Sequence, residues 1–158
     1  MTESEVTSLL DALRDAGVRA WVDGGWAVDA VLGRQTRDHA DLDLAVPAGD
    51  WPALEALVAR LGFARQAGGE AWNPVCTAPD GRRLDIHLFS LDADGRGVMD
   101  PADPAVAYPA GSFSGRGVIA GRAVDCLPGE ILLKLKSGYP PREVDRLDRA
   151  ALAARIGV

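Results

Sequence analysis

The chain has 158 residues, 47% of them hydrophobic and 25% charged, with a formal net charge of −6. That length suits one domain with a sizeable core and is short for two. The acidic balance disfavours a nucleic-acid-wrapping role, because polyanions bind basic surfaces, and no run of about twenty apolar residues offers a membrane span.

The first residues, Met1-Thr2-Glu3-Ser4-Glu5, lack the basic segment and apolar run of a signal peptide. Val6, Leu9, Leu10 and Leu13 then recur at helical spacing and predict an amphipathic helix over 4–16. The apolar run at 18–22 reads as a strand. Gly24-Gly25 follow, giving the backbone freedom and allowing close approaches that a side chain would block. Residues 25–32 read as a helix ended by Gly33. A strand, a glycine turn and a helix leave free N–H groups and a positive dipole end at the turn, which favours bound phosphate.

In the next strand, over 41–46, Leu42, Leu44 and Val46 alternate with Asp41, Asp43 and Ala45. Side chains along a strand alternate between its faces, so the aliphatics share the core face and both aspartates the other. Same-face neighbours lie roughly 7 Å apart, close enough for two carboxylates to converge on one cation or a pair. Mg²⁺ takes such oxygen ligands together with water and substrate phosphates. Asp50 is a candidate N-cap for a helix over 51–61, with Leu54, Leu57, Val58 and Leu61 at helical spacing. Residues 63–66 read as a further strand.

The turn signal Pro79-Asp80-Gly81 makes 75–89 a hairpin. In its second arm Leu84, Ile86 and Leu88 take the core face, while Asp85 and His87 share the other. If that arm lies beside the aspartate strand, Asp85 supplies a third carboxylate. It could bind metal or take a proton from an attacking hydroxyl. Three converging carboxylates repel one another and require a cation nearby. The plainer alternative for Asp85 is a salt bridge to Arg82 or Arg83. Residues 92–109, rich in Asp, Gly and Pro, read as loop. Residues 112–119 and 122–126 form a second hairpin turning at Ala120-Gly121, and helices start from Pro128 and Arg142, separated by Gly138-Tyr139-Pro140-Pro141. The glycines at 111, 115 and 117 are not a phosphate loop, since no Lys-Ser/Thr follows them.

Arg34 and Arg37 lie between the glycine turn and the aspartates, and Lys134 and Lys136 come from the late helix. Arg37 and Lys134 are favoured as phosphate contacts, with solvated surface charge as the alternative. The two lysines cannot share a helix face, because residues two apart diverge. His87 either touches substrate or hydrogen-bonds a neighbour, and His39 reads as a structural loop residue. Trp26 belongs with the core of its helix, with stacking on a nucleobase as the alternative, and Asp29 fixes that helix through an ion pair or hydrogen bond. Trp72 and Tyr108, in or near loops, are the aromatic candidates for an acceptor pocket. Cys76 and Cys126 have no metal-type spacing and read as buried thiols in a reducing cytoplasm.

Two blocks carry a family resemblance: Trp21-Val22-Asp23-Gly24-Gly25-Trp26-Ala27-Val28-Asp29-Ala30, and Leu32-Gly33-Arg34-Gln35-Thr36-Arg37-Asp38-His39-Ala40-Asp41-Leu42-Asp43. They resemble the small antibiotic nucleotidyltransferases of the DNA polymerase β-like superfamily, namely the lincosamide nucleotidyltransferases and aminoglycoside 2″-adenylyltransferases. The segment from Gly121 to Pro128, the stretch Lys134-Leu135-Lys136-Ser137-Gly138-Tyr139-Pro140 and the charged residues from Arg142 to Asp148 are similar to the lincosamide branch. The resemblance implies an α+β nucleotidyltransferase fold with a mixed sheet flanked by helices. It implies one domain over 1–158, with a helical carboxy-terminal segment over 128–158.

The implied reaction moves a nucleoside monophosphate, AMP before others, from a Mg²⁺-bound nucleoside triphosphate to a hydroxyl of a small molecule such as an aminoglycoside or lincosamide. Pyrophosphate leaves, and two metal ions stabilise the attacking and leaving oxygens. On this reading Asp41 and Asp43 match metal ligands, Asp85 matches the third carboxylate, and Gly24 and Gly25 match the nucleotide-binding turn. The resemblance leaves monomer and homodimer both open. Two rivals stand beside it: a minimal nucleotidyltransferase that modifies a protein partner in a toxin–antitoxin pair, and a domain that binds nucleotide without turnover.

Overall fold

The computed structural model describes residues 1–137, 140 and 142–157. Among them the chain runs α1 (Glu3–Asp15), β1 (Trp21–Asp23), α2 (Gly24–Leu32), β2 (Leu42–Pro47), α3 (Trp51–Arg60), β3 (Ala64–Arg65), β4 (Val75–Thr77), β5 (Arg83–Leu91), β6 (Gly97–Val98), β7 (Ala107–Tyr108), β8 (Gly115–Ile119), β9 (Arg122–Cys126), α4 (Gly129–Leu135) and α5 (Glu143–Ile156). The strands form a mixed sheet in the order β3-β4-β5-β2-β1-β9-β8, with β6 and β7 added beyond the end of β5. The pairs β2–β5 and β1–β9 are parallel and the rest antiparallel. This is an α+β fold.

Local chemistry explains the helix ends. Thr2 and Glu5 form a capping box at α1, each side chain accepting the other's backbone N–H, which satisfies two otherwise orphaned donors. Asp23 caps α2 by accepting from the Gly24 N–H, and Gly33 closes it in the left-handed conformation at φ 72°. The buried face of α2, with Trp26, Ala27, Val28 and Ala30, packs against β8 and meets α4 and α5. A Cβ at Gly117 of β8 would stand 2.6 Å from the Ala30 carbonyl group, so glycine is what lets this strand lie so close to the helix. Leu42, Leu44, Val46, Leu84 and Ile86, the core-facing set of β2 and β5, are fully buried. The alternation of the two strands is thereby spent on one apolar face and leaves the aspartates on the other.

Three elements differ from the sequence reading. The first strand begins at Trp21 rather than Val18, because the Arg19 N–H and guanidinium are drawn to the Asp50 carboxylate (3.1 and 3.0 Å). For the same reason Asp50 makes no side-chain cap to α3. The segment 92–109 is not all loop: β6 pairs with the end of β5 and with β7. The strand expected over 112–119 starts only at Gly115, after a 3-10 turn at Ser112–Ser114. The predicted break at 138–141 lies outside the described residues apart from Pro140. Cys76 and Cys126 are free and buried, and among the described residues no helix is long and apolar enough to cross a membrane.

Candidate active site

The glycine turn between β1 and α2 is shaped by what presses on it. Gly24 has φ 61°, and a Cβ there would overlap the Asp43 carboxylate, so conformation and space both demand glycine. A Cβ on Gly25 would overlap the His39 imidazole and lie 2.6 Å from Arg37 Nη2. The Asp23 carboxylate ties the turn down, accepting from the Gly24 N–H at 2.6 Å and from the Tyr108 hydroxyl at 2.7 Å.

Strand register builds a row of carboxylates beside this turn. Asp23 of β1 stands opposite Asp43 of β2, and Asp43 stands opposite Asp85 of β5. Asn73 donates to Asp85 Oδ1 at 2.6 Å and to the Ile86 carbonyl at 3.1 Å, and Arg83 donates to Asp85 Oδ2 at 3.2 Å. Asp85 therefore has the salt bridge of its plainer reading as well as its place in the row. Arg82 is bound elsewhere, to Asp80 at 2.8 Å. Asp41, one residue before β2, leans toward Arg83 at 3.8 Å.

His87 Nε2 lies 3.6 Å from Asp43 and 3.9 Å from Asp85. One ligand atom from each of Asp43, Asp85 and His87 lies within 4.8 Å of the others. Burial raises the pKa of Asp43, and the carboxylates of Asp23 and Asp41 add to this against the pull of the nearby His87 imidazole. Burial opposes charge on His87, but the facing Asp43 carboxylate and the surrounding aspartates outweigh it and leave its pKa raised. This donor set fits a divalent cation, which would relieve the repulsion among the carboxylates.

The remaining residues singled out from sequence fall into different settings. The Arg37 guanidinium sits against Gly25 but is held by Asp148 of α5 at 3.2 Å. Asp148 is buried and also binds Lys136, at 3.0 Å. Lys134 is exposed on α4 and lines a cavity of about 530 Å³ with Tyr108 and Pro109. Tyr108, expected in a loop as an acceptor contact, lies in β7, is only 3% exposed and has its hydroxyl committed to Asp23. The correction follows from β6 and β7 folding 92–109 back onto the sheet. Trp72 lies just before β4 with its carbonyl accepting from Leu88 N–H at 2.7 Å, and its buried indole N–H has no hydrogen-bond partner among the described residues.

Trp26 is buried, its ring 4.6 Å from that of His39. Asp29 accepts from Thr36 and binds His39 Nε2 at 2.5 Å, so the two structural readings made separately meet in one buried pair. Sequence reasoning missed Asp23, Asn73 and Asp148. Only Asp23 carried a local signal, an aspartate at the N-cap of a helix.

Known proteins resemble this chain over most of its length. The 2″-aminoglycoside nucleotidyltransferase of Escherichia coli is 34% identical over 138 residues, covering 84% of this chain and 73% of the relative. The crystal structure of the lincosamide antibiotic adenylyltransferase LnuA, lincomycin-bound, is 27% identical with a TM-score of 0.84, covering 98% of both chains. That of ANT(2″)-Ia in complex with adenylyl-2″-tobramycin is 27% identical with a TM-score of 0.79, covering 98% of this chain and 89% of that one. The aminoglycoside-2″-adenylyltransferase family model matches residues 5–152, and the chain belongs to that family of nucleotidyltransferases.

Proposed function

We propose that the protein transfers AMP from Mg-ATP to a hydroxyl of an aminoglycoside or lincosamide antibiotic, releasing pyrophosphate, and acts in the cytoplasm as a single domain over 1–158. The observation that carries this reading is the row of Asp43 and Asp85 on adjacent parallel strands, with the Gly24 backbone pressed against Asp43. The kinship with enzymes crystallised with lincomycin and with adenylyl-2″-tobramycin supports the acceptor class and the adenylyl donor.

In this reading Asp41, Asp43 and Asp85 hold the divalent cations. A divalent cation held there would supply positive charge to the triphosphate and to the attacking and leaving oxygens. With the Gly24 N–H held by Asp23, the Gly25 N–H in the first turn of α2 faces the phosphates at the positive end of the helix. Arg37, anchored by Asp148 beside Gly25, and Lys134 supply positive charge to the phosphates. Asp85, oriented by Asn73 and Arg83, takes the proton from the acceptor hydroxyl. Trp72 and His87 border the acceptor, while Tyr108 acts through Asp23 by steadying the turn.

The test is mass spectrometry of the protein with Mg²⁺, mixed nucleoside triphosphates and a panel of aminoglycosides and lincosamides, with Asp43→Asn as control. The expected result is an adenylylated drug that is absent with the variant. Intact Mg-ATP binding with no adduct on any drug would refute the antibiotic assignment.

A further inference from the structure

We propose that the imidazole of His87 is a direct ligand of the cation between Asp43 and Asp85, and that this nitrogen makes the site favour a first-row transition ion over Mg²⁺. The inference rests on the cation-dependent reading above and goes beyond it in naming the ligand and the metal class. His87 follows Asp85 by two residues on β5, so both side chains leave the same face. The parallel register that sets Asp43 opposite Asp85 sets Ala45 opposite His87, and the alanine leaves the space beside the carboxylates to the imidazole.

Nε2 lies 3.6 Å from Asp43 Oδ1 and 3.9 Å from Asp85 Oδ1. These gaps exceed the range of a hydrogen bond. Two ligands of one small cation at about 2.1 Å stand about 3 Å apart when adjacent and about 4.2 Å when opposite. The three atoms, all within 4.8 Å of one another, therefore need only a slight closure to share an ion. The imidazole ring stands perpendicular to that of Tyr108, with centroids 6.5 Å apart, and Asn73 fixes the Asp85 carboxylate by donating to the same Oδ1 at 2.6 Å, which leaves that oxygen a second lone pair for the ion.

Donor chemistry then decides the metal. Oxygen-only sites suit Mg²⁺, whereas an imidazole nitrogen adds affinity for transition ions and little for magnesium. Two carboxylates and one imidazole form a mixed set that takes Mn²⁺ more tightly than carboxylates alone would.

The experiment adds Mn²⁺ alone to the intact chain, unlabelled and with ¹⁵N-histidine, and records electron spin echo modulation. The sequence contains two histidines, and His39 Nε2 is bound to Asp29, so a histidine signal on the ion is assigned by one variant. The expected result is a nitrogen coupling that changes with the label and is lost in His87→Gln. In the same variant Mn²⁺ affinity should fall roughly tenfold, with Mg²⁺ affinity, read by competition, nearly unchanged. Mn²⁺ bound without histidine coupling in the native chain, or an unchanged preference for Mn²⁺ over Mg²⁺ in the variant, would overturn the proposal. Because the native labelled chain gives the coupling directly, the proposal can fail or stand whether or not the variant folds. Adenylyl transfer without coupling would sink only the His87 assignment, whereas coupling without transfer to any drug would sink only the antibiotic reading.

Discussion

Replacing Gly25 with alanine sets two opposed effects against each other. Gly25 lies in the first turn of α2, where alanine in place of glycine would by propensity stabilise the helix by up to about 1 kcal/mol. The added methyl, however, would overlap the His39 imidazole and stand 2.6 Å from Arg37 Nη2. Arg37 is the far end of a flexible side chain and can swing aside, since Asp148 keeps Lys136 as a partner. His39 cannot: its side chain is 2% exposed and is bound to Asp29, also 2% exposed. Displacing it sacrifices a buried hydrogen bond to a carboxylate, a loss of about 1.5–3 kcal/mol.

The net expectation is destabilisation by about 1–2 kcal/mol, which for a chain of this size lowers Tm by about 2–8 °C. Urea unfolding and thermal melting of Gly25→Ala measure it directly. In a His39→Ala background the two imidazole atoms nearest the methyl are gone and the mobile Arg37 remains beside it, so the same substitution should there be neutral or stabilising. A Gly25→Ala protein as stable as the parent in the His39 background would refute the steric argument.

Other outcomes follow from the same contacts. Asp148→Asn should cost about 2 kcal/mol in urea denaturation, because the nearly buried Lys136 loses one charged hydrogen-bond partner while keeping Asp145 at 3.5 Å, and it should weaken ATP binding by releasing Arg37. Tyr108→Phe removes a donor from Asp23 and should lower stability at pH 7 by about 1 kcal/mol. Burial first, and the Asp23 charge second, hold the Tyr108 hydroxyl well above its usual range. Its folded pKa thus exceeds its unfolded one, near 10, so its contribution is complete below about pH 10 and is lost as pH rises further. Unfolding curves of the native and Tyr108→Phe proteins should accordingly converge above that pH, and a constant gap would count against the assignment. Asp43→Asn should abolish transfer while raising apo stability by about 0.5–1 kcal/mol, as removal of a strained functional charge often does. Burial pushes the Cys126 thiol up to about 11 and raises that of Cys76 as well, so neither should react with a thiol reagent at pH 8 until the chain unfolds.

What the sequence determined by itself is local. The alternation at 41–46 and 83–89 assigned the buried aliphatic face correctly, although Ala45, on the face of the aspartates, is buried as well, and the glycine turn before a helix was legible because caps and left-handed positions are read within a few residues. Asp29 and His39 were each assigned a structural part from their surroundings alone, though nothing local said that they would bind one another. Tertiary structure decided which strands are neighbours. Only the order β5-β2-β1 lines up Asp23, Asp43 and Asp85, and periodicity within a strand does not report its partner. The bonds of Arg37 to Asp148, 111 residues away, and of Tyr108 to Asp23, 85 away, are likewise invisible along the chain. They exist because burying the α2 face draws α5 and the 92–109 segment onto the same turn, and a charged or hydroxyl group carried into that interior must find a partner there.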